Sequence, residues 1–224
     1  MNTGKVVLMD TTDLNMMANT THGGASQQTR SEQSAELGVS ANAALLVIDV
    51  QQTFDDHSYW GDRDNPDAER NILLLVEHWA KEGLPVVMVT HTSQRPESTF
   101  HPDRSNSQLK PFLAAVEPTL AVTKTVNSSF YGSPDLAAWL TSNGIEQVFL
   151  CGIQTNMCVE TTARMSGNLG FSTVVAIDAC HTFDLEGPDG LVTRAADLAK
   201  IPATNLHEGG FAAIETTQAI LKRF

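Results

Sequence analysis

Five unbroken apolar runs of strand length constrain the fold of this chain more than any other feature: AALLVID (43–49), PVVMVTH (85–91), TLAVTK (119–124), QVFLCG (147–152) and STVVAID (172–178). A weaker sixth follows at ATNLH (203–207). The runs are continuous rather than alternating, which is the pattern of parallel strands buried on both faces. Helical patterns separate them. NILLLVEHWAKEG sets Ile72, Leu75, Val76 and Trp79 on one stripe and stops at Gly83. SPDLAAWLTSNG reads as a helix with Ser133 as N-cap and Pro134 at its first position, ending at Gly144. MCVETTARMSGNLG, DGLVTRAADLAK and FAAIETTQAILKRF supply the remaining helices. Strand and helix alternate throughout, so the expected fold is α/β: a doubly wound, mostly parallel six-stranded sheet with helices on both faces, Rossmann-like in its layering. Such sheets bind ligands beyond the carboxyl ends of their strands, where strand order reverses.

Ahead of the first run, residues 10–42 are rich in Thr, Ser, Asn, Gln and Gly and carry no lasting hydrophobic period. Residues 1–42 therefore read as a polar extension, either flexible, draped over a neighbouring subunit, or preceding the true start of translation, with residues 43–224 as one domain. The formal net charge is -12, from 26 acidic and 14 basic residues. Nucleic acid and anionic membranes both require a basic face, so neither is an expected partner. Cys151, Cys158 and Cys180 form an odd, sparse set without framework spacing, which fits a reducing compartment. Nothing approaches the ~20 apolar residues of a membrane span, and the short run VVLM near the N-terminus is too brief for a signal peptide. The expected location is the cytoplasm.

Chemistry is sought at the strand ends. Asp49 follows the first run, Lys124 closes the third, and Cys158 opens the helix after the fourth, with Thr155 or Asn156 as a natural N-cap. A cysteine in a first helical turn faces unpaired N–H groups and partial positive charge, which favour thiolate and hold an oxyanion. Cys151 lies inside VFLC and reads as core; Cys180 is undecided. Each residue alone has a structural alternative: a cap for Asp49, a solvated surface cation for Lys124, packing for Cys158. Jointly they supply a base, a balancing cation and a nucleophile. No GxGxxG or GxxxxGK[ST] is present, so dinucleotide and NTP phosphates lack their usual cradle and no cofactor is expected.

LLVIDVQQTF around Asp49, KTVNSSFYGSPDL around Lys124 and GIQTNMCVETTA around Cys158, followed by DACHTFD and LHEGGFAAIETT, resemble the isochorismatase-like cysteine hydrolases. That superfamily includes nicotinamidases and N-carbamoylsarcosine amidohydrolase, and the likeness covers residues 43–224. The resemblance implies an Asp49–Lys124–Cys158 triad that hydrolyses a small amide or carbamoyl C–N bond through a thioester. It implies a cis peptide between Ile153 and Gln154, an oxyanion hole from the N–H groups of Gln154 and Cys158, and a homo-oligomer. The members that cleave a vinyl ether lack the cysteine, so Cys158 points to the amide-cleaving branch. Two alternatives stay open: vinyl-ether hydrolysis with Asp49 as acid and Cys158 incidental, or a non-catalytic metabolite-binding protein. Nicotinamidases carry an Asp and His metal set after the second strand; here THTSQRPESTFHPD lacks the Asp-x-His, so His91 and His101 read as loop residues and no metal is expected. Phe54, Tyr59, Trp60 and Phe130 are candidates to wall a small apolar pocket. The acidic stretch FDDHSYWGDRDNPD disfavours a strongly anionic substrate.

Overall fold

A computed structural model describes residues 38–224; the reading of residues 1–37 as part of an extension lies outside the described residues. Residues 38–42 lie against the body of the protein. Val39 packs on the core, the Ser40 N–H donates to Gln147 Oε1 at 2.8 Å, and the Asn42 side-chain amide donates to the Gly144 carbonyl.

The strands β1 (Ala44–Ile48), β2 (Val86–His91), β3 (Leu120–Lys124), β4 (Gln147–Ile153) and β5 (Ser172–His181) coincide with the five strong apolar runs. A small antiparallel ribbon, β6 (Leu185–Glu186) with β7 (Val192–Thr193), follows, and β8 is Ala213–Glu215. The main sheet has the order β3-β2-β1-β4-β5-β8, and every pairing in it is parallel. Strand order reverses beside β1, between β2 on one side and β4 on the other.

The sixth strand corrects the sequence reading. ATNLH is the end of helix α5 (Ala195–Glu208), and the edge strand is AIE at 213–215, inside the segment read as the closing helix. Pro202 and Leu206 are both buried and stand four residues apart, a helical spacing that decides the matter. The closing helix, α6, is limited to Thr217–Leu221.

The two sheet faces carry separate apolar layers. Leu45, Val47, Phe149 and Cys151 point one way, against α2 (Ala68–Lys81) through Ile72, Leu75, Val76 and Trp79, and against Ile220 of α6. Ala44, Leu46, Ile48, Val148 and Leu150 point the other way, toward α3 (Leu136–Ser142), α4 (Glu160–Asn168) and α5. This period-two division of β1 and β4 is why neither strand tolerates a polar alternation. At the start of α3 Pro134 is not the first helical residue and Ser133 is not the cap: Asp135 caps, its carboxylate accepting from the Ala138 N–H at 3.0 Å, and the Ser133–Pro134 peptide is cis. Among the described residues no helix is long and apolar enough to cross a membrane. A short helix, α1 (His57–Trp60), follows β1 after one 3-10 turn, with the Asp56 carboxylate accepting from the Ser58 N–H at its start.

One glycine is required where β1 and β4 leave the core. Gly152 pairs with Ile48 and has φ +132°; a Cβ there would stand 2.0 Å from the Ile48 carbonyl oxygen. The two central strands therefore approach to a distance that only glycine permits.

Candidate active site

The carboxyl ends of β1, β2, β3 and β4 converge on one cluster. Asp49 is the first residue beyond β1 and has φ +53°, a left-handed conformation that aspartate tolerates better than branched residues. It is 1% exposed. Its Oδ2 accepts from Lys124 Nζ at 2.6 Å, and its Oδ1 is buried without a hydrogen-bond partner. Lys124, also 1% exposed, is the last residue of β3. Its ammonium reaches Cys158 Sγ at 3.3 Å and His91 Nδ1 at 3.4 Å as well as the carboxylate.

Burial raises the Asp49 carboxyl above the usual carboxylate range, and the Lys124 charge and hydrogen bond offset only part of that. The Cys158 thiol is pushed up to about 12, by burial first and then by the Asp49 charge, with Lys124 acting in the opposite sense. This corrects the expectation of a helix-start thiolate. The residues 155–159 form a π turn ahead of α4, entered from Gln154 without a side-chain cap. There burial and the facing carboxylate outweigh the partial charge of a helix terminus. A proton leaving Cys158 has an acceptor beside it, since burial makes the Asp49 carboxylate more basic than usual.

The Ile153–Gln154 peptide is cis. The Gln154 carbonyl accepts from the N–H groups of Met157 (3.1 Å) and Val159 (3.2 Å), the neighbours on either side of Cys158. Thr182 braces this turn. Its hydroxyl lies 2.5 Å from Asn156 Oδ1 and 3.2 Å from Gln154 Oε1, so Asn156 turns to Thr182, just beyond β5, rather than capping its own helix.

His91 was expected in a loop; it is instead the last residue of β2, with its ring at the Lys124 ammonium. Its place at the end of the apolar run PVVMVTH is the signal that marks it as a strand-end residue. His101 does lie in the following loop, its Nδ1 accepting from the Asp103 N–H at 3.3 Å. Asp49, His91 and Cys158 are metal-ligand types, and one ligand atom of each lies within 4.8 Å of the others. The ammonium of Lys124 touches all of them, so the cation at the middle of this set is the protein's own.

Phe54 and Trp60 meet with ring centroids 4.8 Å apart, and Phe100 and Phe183, absent from the sequence-based candidates, complete the group. Phe100 joins it to the cluster by standing edge-on to His91 at 4.9 Å. Tyr59 lies against Trp60 but is 65% exposed. Phe130 is separate: it stacks on Phe171 at 5.9 Å and packs with the other apolar layer. The remaining thiols are core. Cys151 is fully buried and held well above the ordinary thiol range by burial, and buried Cys180 donates to the Ala176 carbonyl. A cleft of about 450 Å³ opens at the opposite, amino end of β4 and β5, lined by residues such as Glu146, Phe171 and Phe211; it holds none of this chemistry.

A family model described as "Isochorismatase domain" matches residues 43–205. The chain belongs to the isochorismatase family. It is 40% identical over 181 residues to the uncharacterized isochorismatase family protein YrdC of Bacillus subtilis, covering 81% of this chain and 95% of that protein. It is 30% identical over 153 residues to streptothricin hydrolase of Streptomyces noursei, covering 66% of this chain and 58% of that protein. A crystal structure of an isochorismatase-family protein from Chromobacterium violaceum superimposes with a TM-score of 0.77 at 33% identity, covering 84% of this chain and 97% of that one. As a member of this family the protein is a hydrolase, and its sheet is the family's sheet.

Proposed function

We propose that this protein is a cysteine hydrolase of a small amide or carbamoyl C–N bond, with Cys158 as nucleophile, Asp49 as base and Lys124 as the cation that balances them. The observation that carries the reading is one ammonium held by both the carboxylate and the thiol, at 2.6 and 3.3 Å, with the second carboxylate oxygen left unpaired and buried. Asp49 takes the thiol proton while sulfur bonds to the carbonyl carbon, and the charge moves to the carbonyl oxygen. The Gln154 and Cys158 N–H groups hold that oxyanion, each donor contributing about 3 kcal/mol. Asp49 returns the proton to the departing nitrogen as the C–N bond breaks and a thioester remains. Water then adds to the thioester, giving its proton to Asp49, and sulfur leaves and recovers that proton.

Two features support this path over an independent thiolate. With the thiol at about 12, ionisation to solvent is negligible at neutral pH; transfer to Asp49 keeps the net charge of the cluster constant. The similarity to streptothricin hydrolase is consistent with a hydrolytic site for small molecules. Trp60 and Phe100, the two rings of the group that keep some exposure, would favour a flat, largely uncharged substrate beside His91.

One observation favours a second reading. A carboxyl held above its ordinary range also suits a general acid, so Asp49 protonating a vinyl ether remains the rival. Cys158→Ala separates the two. Screened against small amides and vinyl ethers, the variant should lose about 10⁴-fold or more in kcat while keeping its fold. Turnover that survives the substitution would replace this reading with the acid mechanism. Site-resolved iodoacetamide labelling adds a substrate-free readout: Cys158 should react ahead of Cys151 and Cys180, and Asp49→Asn should slow it.

A further inference from the structure

Resting on the cysteine-hydrolase reading, we infer that His91 is a positioning residue for this site: it is the acceptor for the third N–H of the Lys124 ammonium and so fixes how the other two are aimed. A lysine ammonium has three donors and no acceptor. Around Lys124 Nζ stand Asp49 Oδ2, Cys158 Sγ and His91 Nδ1, one acceptor for each donor. Since the ammonium cannot accept, His91 must offer the Nδ1 lone pair, which puts its own proton on Nε2. The tautomer follows from the partner.

The rest of the residue is held accordingly. His91 and Lys124 are register partners at the ends of β2 and β3, so their side chains leave the sheet together. On the other side the buried Gln51 amide imitates a strand: its Oε1 accepts from the His91 N–H at 2.8 Å, and its Nε2 donates to the His91 carbonyl at 3.0 Å and to the Ser107 carbonyl at 2.6 Å. Phe100 fixes the ring, edge-on at 68°. Burial and the neighbouring ammonium push the imidazole down to about 4, so it remains neutral and able to accept across the neutral range.

Without that acceptor a buried N–H of Lys124 is left unpaired. The ammonium then turns to pair it and loses its aim at Asp49 or at the sulfur. An ordinary packing histidine would have no such consequence.

The test uses His91→Phe, which keeps a flat ring against Phe100 but removes the acceptor, and His91→Asn, whose Oδ1 can stand near the place of Nδ1. The rate of Cys158 alkylation by iodoacetamide would be followed by mass spectrometry from about pH 6 to about pH 9, together with kcat and KM for an amide that the native protein turns over. In His91→Phe both the alkylation rate and kcat should fall about tenfold to a hundredfold, with KM changed by no more than about twofold. His91→Asn should recover most of the loss. Native rates in His91→Phe, or an equal loss in both variants, would overturn the inference. Should His91→Phe not fold, His91→Leu takes its place under the same criteria. An unreactive Cys158 in the native protein would instead overturn the hydrolase reading, and this inference with it.

Discussion

Among the described residues two lysines are almost completely hidden, and their surroundings act in opposite ways. Lys124 (1% exposed) and Lys110 (2% exposed) each donate to a carboxylate within 2.6 Å. Lys110 is shared between Asp55 and Glu69, and Glu69 is further paired with Arg63 at 2.5 Å. Burial raises the Glu69 carboxyl, but hydrogen bonds and charge from Lys110 and Arg63 more than offset this, and it ends below its ordinary range. Asp49 is fully buried, has one cation, and leaves Oδ1 unpaired; there burial prevails and the carboxyl ends above its range. The difference lies in how many cations meet each carboxylate and in what fills the rest of the ammonium's shell. Glu69 is a saturated strut. Asp49 is an under-compensated carboxylate beside a thiol and an imidazole.

Substitution at Lys124 has the largest expected effect. Lys124→Met should reduce turnover by about 10³-fold or more, because the Asp49 charge and the developing thiolate lose the cation they share; steady-state kinetics on the substrate found for the native protein would measure it. Lys110→Met should leave kcat within a few-fold and instead lower stability by about 3 kcal/mol, near the low end for breaking a buried pair because both of its carboxylates keep some access to water. Urea unfolding would read this, and a variant with full stability but no activity would invert the two roles.

A smaller effect concerns His181, which lies under the same aromatic group and has both ring nitrogens buried without partners. Burial, then the charges of Arg63 and Lys110, push it down to about 3. The unfolded chain accepts a proton near the ordinary histidine value, about 6.5. Between these limits the unfolded state binds more protons, so stability falls as pH drops, by up to about 1.4 kcal/mol per pH unit for this residue. His181→Phe should flatten that slope by one proton in unfolding measured from about pH 6 down to about pH 4; an unchanged slope would show that His181 protonates freely in the fold. The smallest effect is expected for Asp55→Asn. Its side chain is 56% exposed and Lys110 keeps Glu69, so the loss should stay below about 1 kcal/mol in the same unfolding assay.

Much of the frame was legible in the residues. Five strands follow from apolar runs that have no polar alternation, and Asp49 and Lys124 at the ends of two of them mark the functional edge of the sheet. The sixth strand was misplaced because AIE is only three residues long and sits in a stretch that also suits a helix. The entrance of α3 differs from the sequence reading because the run Ser-Pro-Asp offers two capping side chains, and it is the Asp135 carboxylate that reaches the Ala138 N–H. Phe100 and Phe183 come from loops far apart in the chain, so no local pattern links them to Phe54 and Trp60.

The alternation of strands and helices, and which reactive side chains stand where strands end, can be read from the residues, because apolar periodicity is set among residues a few positions apart. The upward push on the Cys158 thiol and the Asp49 carboxyl, and the place of His91 at the Lys124 ammonium, come from the folded arrangement. Those properties depend on burial and on distances between groups that lie 33 to 75 residues apart along the chain. Desolvation and charge act through space, and no local pattern records them.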